Sequence, residues 1–153
     1  MKKSEIINLL NILTCYLLIF LFTYTGVSKL IDHEVFEAVI SRSPIIKQQA
    51  TIISWLIPVV ELLIVVMLLL QQYRKTGLLL SLLLMTIFTA YIGYMILFTP
   101  NLPCSCGGVL KQLSWSNHLL FNSFFIVLTL ISLFPISKHK FFIAINRTSR
   151  KPV

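Results

Sequence analysis

The sequence predicts an all-α membrane protein built as a bundle of four transmembrane helices. The 153-residue chain is 57% hydrophobic and only 12% charged, and its mean hydropathy is +0.89. Soluble domains carry about a quarter charged residues. Four apolar runs also reach the length of about 20 residues that a helix needs to cross the hydrocarbon core of a bilayer. They cover residues 9–30, 52–70, 77–98 and 118–136.

The first apolar run follows two lysines, as the start of a secretory signal peptide would. It is long, however, and no small-x-small cleavage site follows it, so we expect a retained first span. We therefore expect residues 1–153 to form a single transmembrane domain in contact with the lipid bilayer, with a basic cytoplasmic tail at 138–153.

The positive charges predict that both termini face the cytoplasm. Nine of the thirteen lysines and arginines lie in segments that this orientation places inside. The net charge of +8 is then an orientation signal, and we expect no nucleic-acid partner. In a bacterial plasma (inner) membrane, the connection 99–117 would face the extracytoplasmic, oxidising side.

The connection between the first two spans contains apolar pairs at roughly helical spacing, at residues 35–36, 39–40 and 45–46. This pattern indicates either a short amphipathic helix on the outer surface or an ordered loop that caps the bundle. In the helical case, Pro44 is expected to end or kink the helix.

Two cysteines, Cys104 and Cys106, are separated by one residue in the last connection. A disulfide needs Cα atoms within about 4.4–6.8 Å, so closing this pair requires a turn, which Pro103 and the glycines at 107–108 favour. A small strained ring is easily reduced, which suits thiol–disulfide exchange. Metal ligation and a structural or inert pair are the alternatives.

A metal site would need further donors, and His118 and His33 are available for copper(I) or zinc. Their spacing from the cysteines matches no closed structural site, so we predict no metal. Cys15 lies inside the first span, where a thiol is expected to behave as a small buried hydrophobe.

Glu61 lies near the middle of the second span, where a carboxylate is costly unless it is neutral or paired. Lys29, near the outer end of the first span, is its expected partner. Pro58, one turn earlier, should loosen the helix. The pair could lock two helices together, or it could take part in proton movement or quinone binding.

Two polar residues open the fourth span. Asn122 follows His118 by four residues, so both lie on one helix face at the level of Lys29. This spacing predicts a polar cluster under the cysteine loop. The alternative is that Asn122 joins helices through side-chain hydrogen bonds.

These features together resemble the MauE/DoxX superfamily, and the cysteine loop brings them closer to the MauE branch. The resemblance extends from the first span to the fourth and is carried by Gly26-x-x-Lys29-Leu30, Phe36, Pro58-x-x-Glu61, Pro103-Cys104-x-Cys106-Gly107, and Trp115 followed seven residues later by Asn122.

The resemblance implies a four-helix, redox-associated membrane protein. MauE-type proteins are linked to maturation of the disulfide-rich small subunit of methylamine dehydrogenase, alongside a thioredoxin-like partner. DoxX-type proteins are linked to thiosulfate oxidation with quinone reduction, so a quinone is a candidate cofactor here. By motif, Cys104 and Cys106 would carry the redox role, and Lys29 and Glu61 occupy the family's charged intramembrane positions.

The leading hypothesis is thus a membrane component of thiol–disulfide exchange or maturation, acting on a thioredoxin-like or client protein outside the cytoplasm. Quinone-coupled disulfide oxidases generally use two cysteine pairs, and this sequence has one, so a complete catalytic site is not predicted. The alternatives are a non-catalytic subunit that docks a partner oxidoreductase, and a small metal handler or transporter.

Overall fold

Five helices make up the described part of the chain. The structure is a computed structural model that describes the backbone of residues 3–43, 46–98 and 115–148, and the side chains of residues 9–43, 46–98 and 117–133. The helices are α1 (Lys3–Ile31), α2 (His33–Ser41), α3 (Ala50–Leu69), α4 (Arg74–Phe98) and α5 (Trp115–Thr148), and one 3-10 turn (Lys47–Gln49) leads into α3. No strand occurs within these ranges, so the all-α prediction is confirmed.

Among the described residues, three stretches of helix are long and apolar enough to cross a membrane: Leu9–Ile31, Lys47–Leu69 and Arg74–Phe98. The described side chains of α5 form a further apolar stretch, Asn117–Leu133, and the backbone of this helix continues to Thr148, past the predicted end of the fourth span at 136. These lengths and compositions confirm a helical membrane bundle.

The four long helices pack in a ring, in which α1 contacts α3 and α5, and α4 contacts the same two neighbours. A turn of four residues, 70–73, joins α3 to α4, and such a short connection makes the two helices antiparallel neighbours. The outward faces are apolar, as lipid contact requires. The exposed fraction of the side chain is 73% for Phe20, 77% for Leu97 and 73% for Leu120. The buried core residues are Cys15, Leu18, Phe22, Ile64, Leu68, Leu78, Met85 and Phe125.

The amphipathic helix predicted between the first two spans is present as α2. Its buried residues, Phe36 and Ile40, form a second small core with Ala50 at the start of α3, while Val35 stays 45% exposed. The helix therefore packs on the bundle and covers the end formed by α1 and α3. It ends at Ser41, and Pro44 lies outside the described residues.

A polar seam joins α1 to α5 in the half of the bundle farther from α2. Ser132 Oγ donates to Thr14 Oγ1 at 2.9 Å, and Thr14 Oγ1 donates to the carbonyl of Leu10 at 2.8 Å. Asn11 Nδ2 donates to the Ser132 carbonyl at 2.9 Å. Hydrogen bonds between helices hold membrane bundles together because lipid offers polar groups no other partner.

Candidate functional site

The most polar feature of the bundle interior is an ion pair between α1 and α3. Lys29 Nζ lies 2.7 Å from Glu61 Oε1 and 2.9 Å from Oε2, so both carboxylate oxygens accept a hydrogen bond. The side chain of Glu61 is 1% exposed and that of Lys29 is 12% exposed. The partner predicted from the sequence is confirmed, and the pair meets the requirement that a buried charge be compensated.

The backbone of α1 comes close to this pair because a glycine stands one turn before Lys29. A Cβ atom at Gly26 would lie 3.4 Å from Glu61 Oε2 and equally close to the side chain of Leu62. A side chain larger than a methyl group at this position would collide with the carboxylate. The small residue thus lets α1 and α3 approach at the level of the ion pair.

Two aromatic rings flank the ammonium group of Lys29. Its Nζ lies 5.7 Å from the ring centre of Phe36 on α2 and 5.8 Å from that of Phe88 on α4. At such distances the negative face of a ring attracts a cation. The lysine is therefore held from three helices: α3 by its carboxylate, and α2 and α4 by their rings.

The ion pair lines a cavity of about 320 Å³. The cavity is mostly apolar, and all five helices contribute to its wall. Of the predicted polar cluster, Lys29, Glu61, His118 and Asn122 all line this one space, and Asn122 is only 4% exposed. The structure therefore brings together the four intramembrane residues selected from the sequence.

Thr25 and Tyr91 also line the cavity, and the sequence did not single out either of them as a site residue. Thr25 precedes Lys29 by four residues, which places both on the same face of α1. This spacing from Lys29 could therefore have identified Thr25 as a site residue from the sequence alone. For Tyr91 the sequence offers only an aromatic residue in an apolar helix, and its position at the cavity depends on how α4 is rotated in the bundle.

His33 does not join the cluster. Its ring packs against that of Trp55 in a tilted arrangement with 4.2 Å between ring centres, and its Nδ1 lies 3.9 Å from Glu37 Oε2. Among the described side chains, those of residues 9–43, 46–98 and 117–133, no group of three His, Cys, Asp or Glu residues could hold a metal ion. Cys104 and Cys106 lie outside the described residues.

Cys15 is buried in the core at 4% exposure, as expected of a thiol inside a span. Its Sγ lies 3.8 Å from Asn11 Oδ1, next to the polar seam. The cavity lining does not include it.

The fold and the site define a multi-pass α-helical membrane protein that holds a buried ion pair beside an intramembrane cavity. The family model described as methylamine utilisation protein MauE matches residues 7–135, which is most of the chain. The protein therefore belongs to the MauE family, whose name associates it with methylamine utilisation. No curated protein and no solved structure matched the chain.

Proposed function

We propose that this protein supports the disulfide maturation of a protein outside the cytoplasm, through thiol–disulfide exchange at Cys104 and Cys106. One observation carries the proposal. The segment that contains both cysteines joins the end of α4 to the start of α5, and Tyr91 of α4 with His118 of α5 lines the cavity near those ends. The helix ends that this segment connects and the intramembrane polar cluster thus belong to the same end of the bundle.

The exchange needs no reactant besides the two proteins. A thiolate of the partner attacks the Cys104–Cys106 disulfide, forming a mixed disulfide and releasing one cysteine as a thiolate. The second thiolate of the partner then breaks the mixed disulfide, so the partner is oxidised and the cysteine pair becomes a dithiol. The reverse sequence reduces the partner, and the difference in reduction potential sets the direction.

The orientation inferred from the charges completes the proposal. With nine of thirteen Lys and Arg residues inside, the cysteine segment faces the extracytoplasmic side of a bacterial plasma membrane. A thioredoxin-like protein or a disulfide-rich client is the expected partner on that side. The Lys29–Glu61 pair, with His118 and Asn122, would fix the helix ends that support the segment.

Differential alkylation of intact membranes, with and without reductant, tests the redox step. A Cys15→Ala background removes the third thiol, so only Cys104 and Cys106 can react. We expect both to be protected until reductant is added. A pair that is freely alkylated after growth under oxidising conditions would contradict the proposal.

Trapping the partner tests the same proposal independently. A Cys106→Ser variant should accumulate a mixed disulfide through Cys104, because the resolving thiol is gone. A Cys104→Ser/Cys106→Ser variant, which keeps only Cys15, is the matched control and should trap nothing. If the double serine variant still supports full maturation of the partner, the protein docks its partner without exchanging thiols.

A further inference from the structure

The intramembrane cavity has the properties of a ligand site. Its volume of about 320 Å³ lies at the lower end of the range for small-molecule pockets, about 300–1,000 Å³. A largely apolar wall with a few convergent polar groups is also typical of such pockets. We propose that the cavity binds an uncharged membrane amphiphile whose head group accepts hydrogen bonds through carbonyl oxygens. This proposal does not depend on the thiol chemistry.

The charge balance of the cavity determines the charge of the ligand. Lys29 and Glu61 neutralise each other at 2.7 Å and 2.9 Å, so with His118 in its neutral form the site has no net charge left to compensate. A charged head group would add an unpaired charge in an environment of low dielectric constant, which is strongly unfavourable. An uncharged head group avoids this cost.

The hydrogen-bonding groups in the cavity wall determine whether the head group of the ligand must donate or accept hydrogen bonds. The ammonium group of Lys29 has three N–H donors, and two of them donate to the Glu61 oxygens. One N–H is therefore available to a ligand. Thr25 Oγ1 is buried beside the Glu61 carboxylate and is not accessible from the cavity, so it is not counted among the available donors. The Asn122 amide adds further donors to the wall. Available donors favour a ligand that presents acceptors, and carbonyl oxygens are acceptors only.

The position of the cavity indicates that the ligand comes from the bilayer. Ile87 of α4 lines the cavity and is 54% exposed, so the cavity is open to the surface of the bundle at this residue. The cavity thus reaches the lipid-facing side of the bundle. An apolar tail would lie among Ile53, Ile57 and Ile87 or extend into lipid, while the head group meets Lys29 and Asn122.

Two kinds of membrane molecule share this chemistry. Isoprenoid quinones and diacylglycerols are both uncharged, and both present carbonyl oxygens on an apolar body. Native mass spectrometry of the full-length protein in detergent can separate them by mass. The probes are a short-tailed benzoquinone and dioctanoylglycerol, and dioctanoyl phosphatidic acid is the charged control with the same acyl chains.

We expect a one-to-one complex with at least one uncharged probe, and at least tenfold weaker binding of phosphatidic acid. The probe that binds identifies the source of the ligand. Equal binding of the charged and uncharged acyl probes, or no binding of either uncharged probe, would overturn the proposal.

Variants locate the binding site. Val39→Phe places a larger side chain in the cavity wall and should weaken binding at least tenfold, and Asn122→Leu, which removes the amide at similar size, should weaken it severalfold. Thr86→Val is the control, because Thr86 is exposed on α4 outside the cavity. Circular dichroism establishes that each variant is folded, and Asn122→Leu serves alone if Val39→Phe is not. Unchanged binding in the folded cavity variants would refute the assignment.

Discussion

Replacing either partner of the Lys29–Glu61 pair should produce unequal losses of stability, because the two charges are buried to different extents. Lys29→Met leaves a carboxylate that is 1% exposed without a counter-ion. Glu61→Gln leaves a lysine that is 12% exposed and two residues from the end of α1. The flexible stem of the lysine can carry its ammonium toward the head groups, whereas the short Glu61 side chain in the middle of α3 cannot reach them.

The magnitude follows from the geometry. At about 2.8 Å and an effective dielectric constant of about 20, the attraction is about 6 kcal/mol, and the cost of burying both charges offsets most of it. Breaking a buried pair by removing one partner costs about 3–5 kcal/mol. We expect Lys29→Met to cost that amount and Glu61→Gln about 1–2 kcal/mol. The double variant removes both charges, so its free energy of unfolding should lie within about 1 kcal/mol of that of the original protein.

A double-mutant cycle measures these differences directly. The free energy of unfolding of the four proteins is obtained by titration with sodium dodecyl sulfate in mixed micelles, followed by circular dichroism at 222 nm. A coupling energy of about 3 kcal/mol or more is expected. If Lys29→Met unfolds at the same detergent fraction as the original protein, or if the double variant is the least stable of the four, the buried-charge argument is wrong.

Two further variants probe helix packing with the same measurement. A Cβ at Gly77 would lie 3.0 Å from Leu68 Cδ2 and 3.2 Å from the Leu68 backbone nitrogen, so Gly77→Ala should cost about 1–3 kcal/mol. Gly93→Ala is the control, since its Cβ would meet nothing within 4 Å, and equal losses in both variants would disprove the contact argument. Thr14→Val removes the oxygen that accepts the Ser132 hydroxyl and should cost about 1 kcal/mol, whereas no loss at all would mean that the seam contributes nothing to stability.

The sequence predicted the fold because membrane insertion leaves few alternatives. Apolar runs of the right length must be helices in lipid, and a carboxylate at mid-span must be neutral or paired with a cation, so the spans and the Lys29–Glu61 pair follow from elementary physics. The contribution of Tyr91 to the cavity did not follow. It depends on the rotation of α4 about its axis, and nearly uniform apolar composition leaves that rotation unspecified. The cavity itself is a product of packing, which no single segment encodes.

Two clusters of buried polar residues stand out in the described part of the bundle, and the difference between them separates a structural role from a candidate functional one. Thr14 and Ser132 satisfy each other, and the polar groups around them also have partners on α1 and α5. Lys29 lies fifteen residues after Thr14, which is about 22 Å along α1. There, an open cavity adjoins the ion pair, and Asn122 lines the same cavity. A seam built only to join helices gains from satisfying every donor, as the Thr14 seam does. At the cavity, the third N–H of Lys29 and the amide of Asn122 are left for a ligand to accept, which is the arrangement expected of a binding site.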